Sequence, residues 1–209
     1  MLDAPILTVK CMEPEGEVER SVYRLVFTPQ NLQKFWDSAK QFSTIYGKEI
    51  NNVKDFVDMF ISYDVNGNEM LDGLFFYIPD GDKFIGVFYL TNINGLEADV
   101  HYSFFDKRHR GRVPLVKAMI KYVFDTYGFR RLNATVPLYT TKFVRHFITN
   151  IGFTMEGKKR SAAKYKGQWY NVNLYGMLYN EISEPALIKE EAPLTTIDEV
   201  TPDGNGSED

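Results

Sequence analysis

Cysteine is nearly absent: Cys11 is the only one among 209 residues. One thiol closes no disulfide within the chain and builds no cysteine-rich metal cage, so the chain does not read as a disulfide-stapled secreted scaffold or a zinc ribbon. Histidine is scarce as well, and His101, His109 and His146 fall at no metal-ligand spacing. No apolar run reaches the roughly 18 to 20 residues that cross a bilayer, and Met1–Pro5 carries no positive segment ahead of an apolar core. The expectation is a cytoplasmic protein with no membrane partner. A Walker-type glycine loop is also missing, which argues against nucleoside-triphosphate chemistry. Asp64, Asn66 and Asn68 briefly imitate a calcium loop, but Glu69 stands where that loop needs its glycine.

What is present suits one compact domain. Hydrophobic residues make up 44% of the chain and aromatic residues 15%, enough to fill a core. Charge divides the chain in two. Residues 181–209 hold nine acidic side chains and one lysine; removing them from the 28 acidic and 24 basic residues of the whole leaves 19 against 23, a body of charge +4. That segment also carries Pro185, Pro193, Pro202, Gly204 and Gly206 without apolar periodicity, so it is expected to be an acidic, flexible tail on a domain of residues 1–180.

Periodicity orders the body. Strands are expected at residues 6–12 and Val22–Phe27. Thr28-Pro29 is an N-cap followed by proline at the first helical position, opening a helix over 29–43 with Leu32, Phe35, Trp36, Ala39 and Phe42 on one face. Asn51 or Asn52 opens a second helix over 53–63, striped by Val53, Phe56, Val57, Phe60 and Ile61. The period then shortens to that of strands at Leu74–Ile78, Lys83–Thr91 and Leu96–Phe105, separated by Pro79-Asp80-Gly81-Asp82 and by the hairpin signal Asn94-Gly95. A largely apolar helix over Val113–Tyr127 ends at Gly128 and leads into a strand at Leu132–Val136, which predicts a right-handed βαβ crossover with parallel strands. A helix near 140–150 and strands near 153–160 and 169–178 complete an α/β fold: a mostly antiparallel mixed sheet with one parallel crossover and about four helices.

This order, with Arg110-Gly111-Arg112 before the crossover helix, Gly152-Phe153-Thr154-Met155-Glu156-Gly157, and Gly167-Gln168-Trp169-Tyr170 leading to Leu174–Leu178, resembles the GNAT N-acetyltransferase family. The similarity runs from about Phe84 to Leu178. It is nearest to the ribosomal-protein N-terminal acetyltransferase branch, and the short, aromatic-rich chain looks similar to bacteriophage-encoded members, which would work in the host cytoplasm. The resemblance implies acetyl-CoA as acyl donor, held between two splayed parallel strands with its pyrophosphate at a helix N-terminus, where free amides and the helix dipole favour anions. Carried onto this sequence, it names Phe104, Phe105, Arg108, Arg110, Gly111, Arg112, Val113 and Thr141 as cofactor-binding positions, and a backbone amide near Phe104 or Phe105 as the oxyanion donor. The acceptor would be a primary amine on a protein N-terminus, a lysine or a small molecule, with the first two helices forming one wall of its groove.

Two positions depart from the family pattern. Counted from Arg110, the loop's two small residues become Val113 and Leu115; counted from Arg108, Gly111 returns but Val113 remains. The tyrosine that protonates the departing thiolate in relatives corresponds to Ile148, and Tyr139, the nearest phenol in sequence, is the candidate to replace it as acid if its loop turns inward. For the base, alternation along Leu96–Phe105 puts Glu97, Asp99, His101 and Ser103 on one face, and His101, with an ordinary pKa of about 6.5, leads the candidates Glu97, Asp99 and His101. Ser103 has no base partner and is not read as a nucleophile. Two rival readings stay open: a degenerate relative serving as a structural or interaction module, favoured by Val113 and Leu115, and a nucleic-acid binder using Lys107–Arg112 and Lys158–Lys166, which the acidic tail opposes.

Overall fold

The computed structural model describes residues 4–13, 16–41, 50, 52–63, 65–67, 69–71, 73–105, 112–140, 142–182 and 188–189. The elements run β1 (Leu7–Glu13), β2 (Gly16–Arg24), α1 (Pro29–Ala39), α2 (Val53–Val57), β3 (Ile61–Tyr63), β4 (Glu69–Leu71), β5 (Leu74–Asp80), β6 (Lys83–Asn94), β7 (Glu97–Phe104), α3 (Arg112–Tyr127), β8 (Arg131–Pro137), α4 (Lys142–Ile151), β9 (Thr154–Tyr165), β10 (Gln168–Leu178) and β11 (Ile188–Lys189). Nine strands form one sheet in the order β11-β1-β2-β5-β6-β7-β8-β10-β9, and β3 pairs with β4 as a separate hairpin. Among the described residues β7 and β8 are the one parallel pair, joined by α3 as the crossover. The mixed sheet with four α-helices is the fold class the sequence predicts.

Both faces of the sheet are covered, which explains why β6 is buried without a break from Phe84 to Leu90. Neighbours in a strand face opposite ways, so Phe75 and Phe76, each 0% exposed, enter different cores. Phe76, Phe88 and Leu90 meet Leu115, Met119 and Val123 of α3 together with Phe147 and Ile148 of α4. Phe75 and Tyr89 meet Phe35 of α1 and Phe56 of α2. Thr28 caps α1 as predicted, its Oγ1 accepting the amide of Asn31 at 3.2 Å, and Asn52 Oδ1 caps α2 by accepting from Asp55 at 2.9 Å. Gly128, at φ 68°, ends α3.

Three expectations need correction. The second helix ends at Val57 rather than 63, because the amides of Met59 and Phe60 bond back three residues and tighten the chain into turns. Ile61–Tyr63 then pairs with Glu69–Leu71. Helical spacing could not reveal this, since turn and helix alike bury Phe56 and Phe60 in one cluster. Strand β2 begins at Gly16, six residues earlier than expected, and pairs with β1 over Gly16–Val22; its charged Glu17, Glu19 and Arg20 conceal the alternation. Of the segment read as a tail, Ile188–Lys189 pairs with β1 and the remainder from 190 lies outside the described residues.

Candidate functional site

The site is made by two strands that part. β7 and β8 pair only at Glu97↔Arg131, Ala98↔Leu132 and Asp99↔Asn133. Beyond that point β7 keeps its ladder to β6 as far as Phe104↔Gly86, and β8 keeps its ladder to β10 as far as Pro137↔Val172. Val100–Phe104 and Ala134–Pro137 therefore border a crevice in mid-sheet. The backbone of β7 alternates in direction, and Phe105 donates its amide to Ile85 O at 2.8 Å. Every second residue from there faces β6, which leaves the backbone polar groups of Phe104, Tyr102 and Val100 facing the crevice. Of the two amides expected near the oxyanion, that of Phe105 is engaged by Ile85 O and that of Phe104 lies on the strand's other side.

At one end of this crevice α3 begins. The guanidinium of Arg112 lies over the Phe104 ring, 5.1 Å from its centroid. Val113 packs half-buried on the core and Leu115 is 0% exposed within it, so that leucine belongs to the interior of the domain. Arg108, Arg110, Gly111 and Thr141 lie outside the described residues.

On the α1/α2 face of β7, His101 stacks on Tyr89 at 4.6 Å and 10°, with Nε2 2.9 Å from Thr91 Oγ1. Burial lowers its pKa and the nearby Asp99 partly restores it. Asp99 accepts from Asn92 Nδ2 at 2.8 Å. Glu97 accepts from Asn133 Nδ2 at 3.3 Å and lies 3.9 Å from Arg131, in a network at the closed end of the crevice. Only His101 of these three lies on the parted stretch. Ser103 is half-buried opposite Val87. Tyr139, in the turn after β8, stacks on Tyr165 at 4.5 Å and meets Tyr170 edge-on at 5.5 Å. Burial raises its pKa.

Sequence reasoning missed a polar group on the opposite face. Asn173, 6% exposed, donates from Nδ2 to the Tyr175 phenol oxygen at 3.4 Å, and Tyr175 is 4% exposed. Tyr102 packs on Phe147 of α4 at 5.3 Å. Burial and the Tyr175 phenol both raise the pKa of Tyr102, so it stays protonated. The available signal was Asn173 and Tyr175 at strand spacing between apolar residues, a pattern that needs polar partners in a core. Among the described residues no group of three or more His, Cys, Asp or Glu side chains is placed to hold a metal, and no helix is long and apolar enough to cross a membrane.

Comparison with known proteins gives the following. The model of the acetyltransferase (GNAT) domain family matches residues 30–174. No curated protein matches the sequence. Among solved structures, Mycobacterium smegmatis RimJ in complex with CoA-disulfide superimposes with a TM-score of 0.61 at 15% identity, covering 87% of this chain and 91% of its own. Ribosomal-protein-S5-alanine acetyltransferase from Vibrio fischeri gives 0.60 at 14% identity, covering 79% and 96%. Spermidine N-acetyltransferase from Vibrio cholerae in complex with CoA and spermine gives 0.59 at 17%, covering 77% and 97%.

Proposed function

The chain belongs to the GNAT acetyltransferase family, whose domain model spans residues 30–174, and from that premise we propose that it transfers an acetyl group from acetyl-CoA directly to a primary amine. The parting of β7 from β8 after Asp99↔Asn133 carries this reading. An exposed strand edge takes an extended partner through its main chain, and the crevice-facing groups of Val100, Tyr102 and Phe104 suit an amide-bearing arm. Acetyl-CoA, when bound, supplies an acyl thioester that an amine attacks. Arg112 and the start of α3 would favour its phosphates.

His101 is the proposed base. An amine must lose its proton to attack, and burial keeps His101 neutral at pH 7. If Nε2–H donates to Thr91 Oγ1, the lone pair of Nδ1 is left to take the proton; the stack on Tyr89 fixes the ring plane. Helices α1 and α2 cover the same face and supply one wall for the acceptor. The relatives named above are a spermidine acetyltransferase and a ribosomal-protein-S5-alanine acetyltransferase, so the acceptors to try are polyamines, lysine peptides and peptides with free N-termini. Calorimetry with acetyl-CoA should give micromolar binding, and one of these acceptor classes should be acetylated as read by mass spectrometry. Absence of heat at millimolar ligand refutes the proposal.

A further inference from the structure

Register arithmetic places the missed polar group beside the crevice. If β7 and β8 continued their pairing, Tyr102 would stand opposite Val136 and Val100 opposite Ala134. Val136 in turn pairs with Asn173, and Ala134 with Tyr175. Partners in a ladder share a face, so Tyr102, Asn173 and Tyr175 all lie on the α3/α4 side of the sheet, on either side of the stretch where β7 has moved away. The residues between them on β8 are small, an alanine and a valine.

Asn173 is out of place in such an environment. It is 6% exposed, Nδ2 is bonded to Tyr175, and Oδ1 is buried with no hydrogen-bond partner among the described residues. A buried carbonyl oxygen without a donor loses its water and gains nothing in exchange. Isosteric leucine would pack there without that penalty, so the position calls for a hydrogen-bond donor. The backbone around Asn173 is held in the ladders to β8 and β9, and the crevice lies one strand away, beyond Val136.

We propose that Asn173 is the anchor for the donor's arm: its Oδ1 accepts an amide N–H of the extended, thioester-bearing chain lying in the crevice, with Tyr175 holding the Asn173 amide in orientation. This rests on the acetyl-CoA reading above. It makes Asn173 a binding residue and Tyr175 a positioning residue, acting through Nδ2, and it gives the arm a side-chain contact on the face opposite His101. Amine and arm are thus held from different sides of β7.

Calorimetry on the full chain with two probes tests it: CoA, and 3′-phospho-ADP, which keeps the nucleotide end and lacks the arm. Asn173→Leu should weaken CoA about tenfold and leave 3′-phospho-ADP within about twofold. Tyr175→Phe, a milder change that keeps the ring, should weaken CoA about threefold with the same indifference to 3′-phospho-ADP. The melting temperature of ligand-free Asn173→Leu should not fall, since the orphaned acceptor is gone. CoA affinity unchanged in both variants overturns the assignment and marks Oδ1 as satisfied by water. Equal weakening of both probes overturns it too, as a sign of altered folding. A wild type that binds neither probe overturns the acetyl-CoA reading along with this one, whereas wild-type binding with indifferent variants overturns this one alone.

Discussion

Adding one methyl group on β6 should disturb the crevice from behind. Gly86 lies in a row with Ile78 of β5 and Phe104 of β7. A Cβ at Gly86 would sit 2.9 Å from Phe104 Cδ1 and 3.1 Å from Ile78 Cδ1, where carbon atoms prefer about 3.5–4.0 Å. Ile78 is 3% exposed and has nowhere to go, so the half-buried Phe104 ring at the crevice edge must retreat, and Arg112 rests on that ring. Overpacking of this kind costs about 1–3 kcal/mol. Against it, Gly86 is not at positive φ, so alanine strains no backbone and stabilises by about 0.4–1 kcal/mol through the unfolded chain. The expected net loss for Gly86→Ala is about 1–2 kcal/mol in urea unfolding, or roughly 2–8 °C in melting temperature. CoA affinity should fall several-fold in calorimetry, because the Phe104 backbone and Arg112 shift together. A variant as stable as wild type with unchanged CoA affinity would refute both the tight row and the placement of the donor along Phe104.

Further predictions concern the other face. His101→Gln should lower kcat by about 100-fold or more with CoA affinity retained; an unchanged rate removes it as base. Because burial depresses the His101 pKa, the acidic limb of the wild-type rate profile should fall below the ordinary value of about 6.5. The same sign governs stability. The unfolded chain binds the proton more readily, so the His101 contribution is intact above about pH 6.5 and is lost as pH falls through the folded-state value, a slope that His101→Gln should flatten in denaturation curves. Phe35, 0% exposed and 4.7 Å from Phe56, holds α1 to α2, and Phe35→Ala should cost about 3–5 kcal/mol in unfolding. CoA affinity in that variant should stay within about twofold, since the donor's contacts lie elsewhere.

The fold was largely legible because its signals are local. Thr28-Pro29, Asn94-Gly95, the apolar α3 and Gly128 each announce an element through chemistry that acts within a few residues. The early start of β2 and the β3–β4 hairpin were not legible, since their pairing partners rather than their own periodicity define them. The site followed the same division. Alternation alone gave His101 its face, but that Phe105 directs its amide to Ile85 depends on register with β6. Asn173 and Tyr175 are just over 70 residues from Tyr102 in sequence. They join it across the gap only because β10 pairs with β8 in one particular alignment.

The same alignment bears on the irregular cofactor loop. Each side of the sheet is complete up to the crevice: β7 is held by β6 to its end, and β8 by β10 to its end. The opening is therefore fixed by ladders on its outer sides. Leu115, which breaks the family's glycine pattern when counted from Arg110, is wholly inside the core, where a glycine would leave a void under α3. Its size thus serves packing of the crossover helix that holds the two halves in place. An arm bound in the gap would complete the interrupted parallel ladder, so donor affinity should reside chiefly in strand edge and crevice floor, with cations near the start of α3 setting the phosphate end. In that arrangement the bulk of Leu115 is explained by packing, and of the two residues that favoured a degenerate module only the half-buried Val113 still stands near the donor's phosphate end.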